Sequence, residues 1–276
     1  MKNVIITTAL VVASFAAVAQ VRMPQPSPMQ TIKQDFAMGN IEVTYSRPAA
    51  RERNVFGDLV PYGKLWRTGA NGATVIKFNQ PVEIMGKKID TGSYALYTIP
   101  GVESWDIILN KGTSNWGTGG YKESDDVVRF KAVPTKLKSE IENFTIQFDN
   151  VLPESIDLWM VWDKTGVRIP IQANIKDKLR AQVDAALMGE KKPYWMAAQF
   201  YNEYDKNYPK ALENINKGVE ENPKAFYMFL YKAKIQKQMG DIEGARATSK
   251  KSMEIARAEK NDDYVKLNED FLKTLK

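Results

Sequence analysis

Hydrophobic positions alternate with polar ones in short runs through the first two-thirds of the chain, then recur every three to four residues in the last third. IEVTY at 41–45 has the period of two expected of a half-buried strand. TVIKF at 74–78 repeats it, and residues 82–84 and 88–89 flank a Met85-Gly86-Lys87 hairpin turn. Further strands are predicted at 93–99, closed by Pro100-Gly101, at 105–109, and at 126–133, ended by Pro134. Three more are predicted at 144–148, 156–162 and 167–171, with Asp163 to Gly166 as a turn between the last two. Many short strands joined by glycine, proline and asparagine turns predict an antiparallel β-sandwich, here over residues 35–174. The alternation assigns Ile41, Val43, Tyr45, Val75, Phe144, Ile146 and Phe148 to its core.

From residue 175 glycine becomes rare and the period moves to 3.6. A helix over 176–188 ends at Gly189, and Pro193 sits in the first turn of a second, where a missing N–H costs nothing. A third opens at 208–211 and stops at Asn222-Pro223; a fourth covers 226–239, with Gly240 beyond its end. Asp241 caps a fifth reaching Arg257, and Asn261 or Asp262 caps a sixth. Ala211 and Ala245 lie 34 residues apart at matching places, the period of a tetratricopeptide repeat. In that frame Trp195, Ala211, Ile215 and Pro223 take the aromatic, small, apolar and proline positions. The second copy departs from it at Thr248 and Ser249, and a plain helical hairpin bundle is the alternative. The aromatics Tyr194, Trp195, Phe200, Tyr201, Phe226, Tyr227 and Phe229 read as repeat core, or as a concave peptide-binding surface. The expected fold class is therefore multidomain β + α: a sandwich, then a small tetratricopeptide-like helical domain at 175–276.

The beginning of the chain adds an address. Lys2, an apolar run over 4–13 and the triplet Ala17-Val18-Ala19 predict a signal peptide at 1–19, leaving Gln20 first after cleavage. The apolar run is too short to span a bilayer, and no second run of spanning length follows, so no membrane span is expected. Residues 20–34, with Pro24, Pro26 and Pro28, read as an extended lead-in that pairs late or lies over a sheet edge. The expectation is an exported protein, periplasmic or extracellular.

Composition narrows the chemistry. The formal charge of +6 is mild and its lysines are interspersed with acids, so no nucleic-acid partner is expected. There is no cysteine and no histidine. That removes thiolate chemistry, Ser-His-Asp activation and nearly every zinc, copper or non-haem iron site; no cofactor and no metal are expected. Carboxylate acid–base chemistry remains open.

Candidate binding residues concentrate in the stretch from Tyr45 to Thr74, a connection long enough to suggest a role of its own. Arg47, Arg51, Lys64, Arg67 and Asn71 stand there among Tyr62 and Trp66. Arginine forks read carboxylate or phosphate, and a neighbouring aromatic offers a sugar a stacking face. The competing reading is structural: Arg47 and Arg67 pair with Asp58, Glu42 or Asp90 and brace the loop. Trp116, in the glycine-rich loop 110–121, is a second candidate, as a sugar-stacking tip or part of a mobile segment. Asp90, Asp106, Asp125 and Asp126 are the carboxylates for a metal-independent hydrolase, which needs two acids about 5–9.5 Å apart.

The run YSRP…VFGDLVPYGKLWRTGANGAT, followed by GKKIDTGSYALYTIPG, DDVVRF and ENFTIQF, resembles domain-of-unknown-function family 2911, uncharacterised secreted proteins known mainly from the Bacteroidetes. The resemblance covers roughly residues 24–172; it implies architecture and address, and no activity or ligand. The expected function is a non-catalytic binding module for a glycan or anionic small molecule, with the helices engaging a protein partner. A carboxylate-based hydrolase and a structural envelope component are the alternatives.

Overall fold

Among the described residues, the period-two runs together with the end of the lead-in form ten antiparallel strands, and the 3.6-period runs form six helices. A computed structural model describes residues 23–275, so the predicted signal segment lies outside the described residues. One sheet has six strands in the order β1 (Met29–Phe36), β2 (Gly39–Ser46), β3 (Thr74–Phe78), β6 (Gly92–Ile99), β7 (Trp105–Asn110), β8 (Asp126–Ala132). The other runs β5 (Lys87–Ile89), β4 (Val82–Ile84), β10 (Ser155–Gln172), β9 (Thr135–Asp149). Their inner faces enclose one hydrophobic core.

Ile41, Val43, Tyr45, Phe144 and Ile146 are buried in that core, and Phe148 packs against it half-buried. Val75 is the exception, because Val43 pairs with Ile76 and the pleat turns Thr74, Ile76 and Phe78 inward. Val75 faces outward instead. β1 takes in the end of the predicted lead-in and forms the sheet edge, running its full length along β2.

The turn predicted at Asp163 to Gly166 does not form: β10 continues through it. Asp163, at φ 51°, pairs with Ile141, and Thr165 pairs with Lys136, so residues 137–140 of β9 stand opposite Lys164 alone. The glycine and the left-handed residue serve a bulge, not a reversal.

The long connection between β2 and β3 enters the core. Trp66 is 7% exposed and sits among Phe56, Trp105, Phe144 and Trp162, with centroids at 6.0, 6.2, 5.1 and 5.9 Å. Its Nε1 donates to Gly69 O at 3.0 Å. Its backbone pairs with Thr98, so this part of the loop extends the sheet beside β6.

The helices are α1 (Lys176–Leu187), α2 (Tyr194–Gln199), α3 (Tyr208–Glu221), α4 (Phe226–Gln238), α5 (Ile242–Ala258) and α6 (Asp262–Lys273). α2 runs on into a π-helical turn, Phe200–Tyr204. Asn207, Asp241 and Asn261 cap α3, α5 and α6 by accepting from backbone N–H groups three residues on. Ala211 and Ala245 each lie four residues after their caps, both fully buried, so the two helices share one phase. Ser249, where the repeat pattern expects a bulky apolar side chain, lies instead in a polar core. Asn268 Oδ1 is 2.9 Å from Ser249 Oγ, and Asn268 Nδ2 donates to Ser252 Oγ at 2.9 Å. Ser252 in turn donates to Phe226 O at 2.8 Å, which joins α4, α5 and α6. Leu179 and Tyr204 pack against both the sandwich core and the helical core.

Candidate ligand-binding cleft

The predicted site residues do not converge on one point; the fold divides them by role. Arg47 donates from Nε to Phe144 O at 3.2 Å and from Nη2 to Thr145 Oγ1 at 2.7 Å. It therefore ties the loop to β9 through a carbonyl and a hydroxyl, not through Asp58, Glu42 or Asp90. Trp66 is core. Lys64 is exposed and lines neither cavity described below, while Tyr62, 43% exposed, lines a different one from Trp116.

Arg67 follows Trp66 on the opposite side of the extended segment, and Leu65 packs there against Ala95, Tyr97 and Ile108. The Arg67 guanidinium is half-buried, which lowers its pKa, and Nε is buried without a partner among the described residues. No carboxylate among them braces it.

Asn71, Arg51 and Arg47 together hold the lead-in. Asn71 Nδ2 donates to Ser27 O and to Ser46 Oγ, both at 3.2 Å. Arg51 Nη2 reaches Pro26 O at 3.5 Å, and Arg47 N donates to Pro28 O at 2.9 Å. Asn71 stands at φ 59°, a conformation asparagine tolerates better than most residues. The lead-in, too rich in proline to join the sheet as an inner strand, is thereby fixed as a wall.

Between that wall and the outer face of the first sheet lies a cleft of about 1090 Å³. Met23, Pro26 and Met29 face Val75 and Ala73 across it, with Thr44, Ser46 and Asn71 as polar points. Trp116 closes one side and is 76% exposed. Among the described residues, no side chain lining the cleft is charged.

Trp116 is placed by backbone pairing. Gly72 pairs with Trp116; Ala73 N donates to Asn115 O at 3.2 Å and Gly117 N to Asn71 O at 3.0 Å. Asn115 Nδ2 also donates to Tyr97 OH at 3.2 Å. The glycine-rich loop is thus stitched to the β2–β3 connection, and its indole is presented on a fixed base. Val75 and the lead-in wall were not legible as site residues, although the prolines at 24, 26 and 28 did mark an extended segment.

Three of the four candidate acids lie against basic side chains. Asp126 accepts from Asn110 Nδ2 at 2.8 Å, from Tyr121 OH at 3.0 Å and from Arg129 Nη2 at 2.8 Å. Burial, then the hydrogen bond to that carboxylate, push the Tyr121 phenol up to about 12. Asp106 pairs with Lys131 at 2.8 Å, and exposed Asp90 lies 3.7 Å from Lys88 at the end of β5. Asp106 and Asp126 sit four positions apart along the β7–β8 ladder, about 13 Å by strand rise. That exceeds the separation of paired glycosidase carboxylates, about 5–9.5 Å. None of the four candidate acids lines the cleft.

No helix among the described residues is long and apolar enough to cross a membrane. No curated protein and no solved structure matches the chain. Residues 171–268 are similar to the family described as N-terminal acetyltransferase A, auxiliary subunit. Residues 27–171, the sandwich from just before β1 to the last residue but one of β10, match the model described as Protein of unknown function (DUF2911), and the chain belongs to that family.

Proposed function

We propose that the sandwich is a non-catalytic binding module of an exported protein, and that it holds an uncharged polar ligand, a neutral glycan chain, in the cleft beside Trp116. The observation that carries this reading is an exposed indole on a fixed base beside a cleft with no charged lining among the described residues. An indole offers a flat face to the C–H surface of a sugar ring. Asn71, Thr44 and Ser46 supply the few polar groups that a mostly apolar site needs to orient its ligand. An anionic ligand would meet no counter-charge there. Asp90, Asp106 and Asp126 each lie against a basic side chain and none of the four candidate acids lines the cleft, which favours binding over hydrolysis. The export part of the reading rests on the charged, apolar and small-residue pattern of residues 1–19.

The test is calorimetric titration of the protein with neutral oligosaccharides, wild type beside Trp116→Ala. Losing the stacked face is expected to weaken binding by about tenfold, as a contact of about 1.4 kcal/mol would. The melting temperature should not move, since the indole is 76% exposed. If no neutral glycan binds wild type, or Trp116→Ala binds equally well, the reading fails.

The helices are assigned to a protein partner. An auxiliary subunit is by name a companion to another polypeptide, and the helical domain is similar to that family. Met196, 63% exposed in the first turn of α2, is a suitable site for a photo-crosslinking residue. Crosslinks from position 196 to another protein in the producing cell are expected, and their absence refutes this part.

A further inference from the structure

A second cavity, sharing no residue with the Trp116 cleft, opens where the β2–β3 connection, the β6–β7 turn and the β9–β10 ribbon meet. Its volume is about 290 Å³, at the small end of ligand pockets, and it suits a single ring. The base is aromatic: Phe56 and Trp105 stand with centroids 4.8 Å apart at 63°, both buried in the core beneath. Tyr62 lines it at 43% exposure and Val102 at 73%, so apolar surface there faces solvent.

Two lysines complete the lining, and no acid among the described residues does. Both stand at the β-bulge, where Thr165 pairs with Lys136 and Asp163 with Ile141, so that the register of β9 against β10 shifts beside Lys164. Lys164 lies 3.6 Å from Glu140, but both side chains are more than half exposed, and such a pair is weak and screened. Lys136 has no carboxylate within 4.0 Å among the described residues. A net positive rim over an aromatic wall asks for a ligand with an anionic group and a ring face.

We propose that this pocket is a subsite for a carboxylated sugar ring, a uronic acid. The ring lies against Tyr62 and the Phe56–Trp105 base, and its carboxylate meets the Lys136 and Lys164 ammonium groups. A neutral sugar leaves both charges unanswered. A bare phosphate satisfies the charges and leaves the aromatic wall unused.

The experiment is calorimetric titration of the protein with galacturonate, galactose and inorganic phosphate in parallel at low salt. With Trp116→Ala as the background, so that the neutral-glycan cleft does not contribute, galacturonate is expected to bind, galactose not to bind at the same concentrations, and added salt to weaken the binding. Lys136→Gln should lower affinity by about tenfold, the order of one lost charge-assisted contact. It should leave the melting temperature unchanged, because Lys136 is exposed. Tyr62→Ala should also weaken galacturonate. Trp116→Ala should not, so failure of this proposal and failure of the neutral-glycan reading are separable. Equal binding of galactose, displacement by phosphate at equal concentration, or an unaffected Lys136→Gln overturns the proposal.

Discussion

Trp66 separates a ligand-binding loop from a structural one, and the two roles predict opposite results. Burying a tryptophan removes about 150–250 Å² from water, worth about 4–6 kcal/mol at 25 cal/mol per Å². Core Trp→Ala substitutions cost about 3–5 kcal/mol. The indole also donates to Gly69 O at 3.0 Å inside the core, a bond worth about 1 kcal/mol net. Trp66→Ala should therefore remove about 5 kcal/mol, most or all of the stability of a typical domain. Trp66→Phe is the measurable version. It keeps a ring against Phe56, Trp105, Phe144 and Trp162 but gives up the outer part of the indole and the Gly69 bond, for about 2 kcal/mol. Urea unfolding reads the difference, because every tryptophan except Trp195 lies in the sandwich and reports its melting. With an m-value of about 2 kcal/mol/M, the midpoint should fall by about 1 M in Trp66→Phe. Glycan affinity of the folded variant should not change. A midpoint within about 0.2 M of wild type, together with lost binding, would refute the assignment of Trp66 to the core.

Two further predictions concern the helices. Asp205 takes a two-pronged contact from Arg180 and lies 3.3 Å from Lys176, and these partners, Arg180 first, hold its carboxyl below the usual aspartate range. Its stabilising contribution is present above the ordinary aspartate pKa of about 3.9 and is lost as pH falls through the lower folded value. Asp205→Asn should melt a few degrees below wild type at pH 7, with the gap closing below about pH 4; a gap that stays constant into acid would refute the linkage. Asn268→Leu should destabilise the helical domain by about 2–4 kcal/mol in thermal or urea melting, since it leaves Ser249 and Ser252 buried beside an apolar side chain. A variant as stable as wild type would mean that those hydroxyls find other partners.

The change from strands to helices, most of the strands and two helix caps were legible because each is a local matter. A period of two or 3.6 reports how one segment meets a core, and a cap is satisfied within three residues by its own side chain, as at Asp241 and Asn261. The family resemblance was legible for a related reason, being carried by a contiguous run of residues. Which face Val75 takes is not local, because the register of β3 is set by β2 and β6. Nor is the fate of Asp163 to Gly166, where a partner strand with extra residues turned an apparent reversal into a bulge.

The candidate residues show the same division. Their clustering between Tyr45 and Thr74 could be read in the chain, but Arg47 finds Phe144 and Thr145, Asn71 finds Ser27, and Trp66 finds the core. Lys136 and Lys164 meet across a bulge from strands that gave no hint of a shared pocket. Sequence alone determined the two kinds of domain, their order, and the chemistries barred by the lack of cysteine and histidine. The tertiary structure decided which side chains brace, which are buried and which line a cavity, because those roles depend on partners distant along the chain, as Tyr45 and Ile146 are at 101 residues apart.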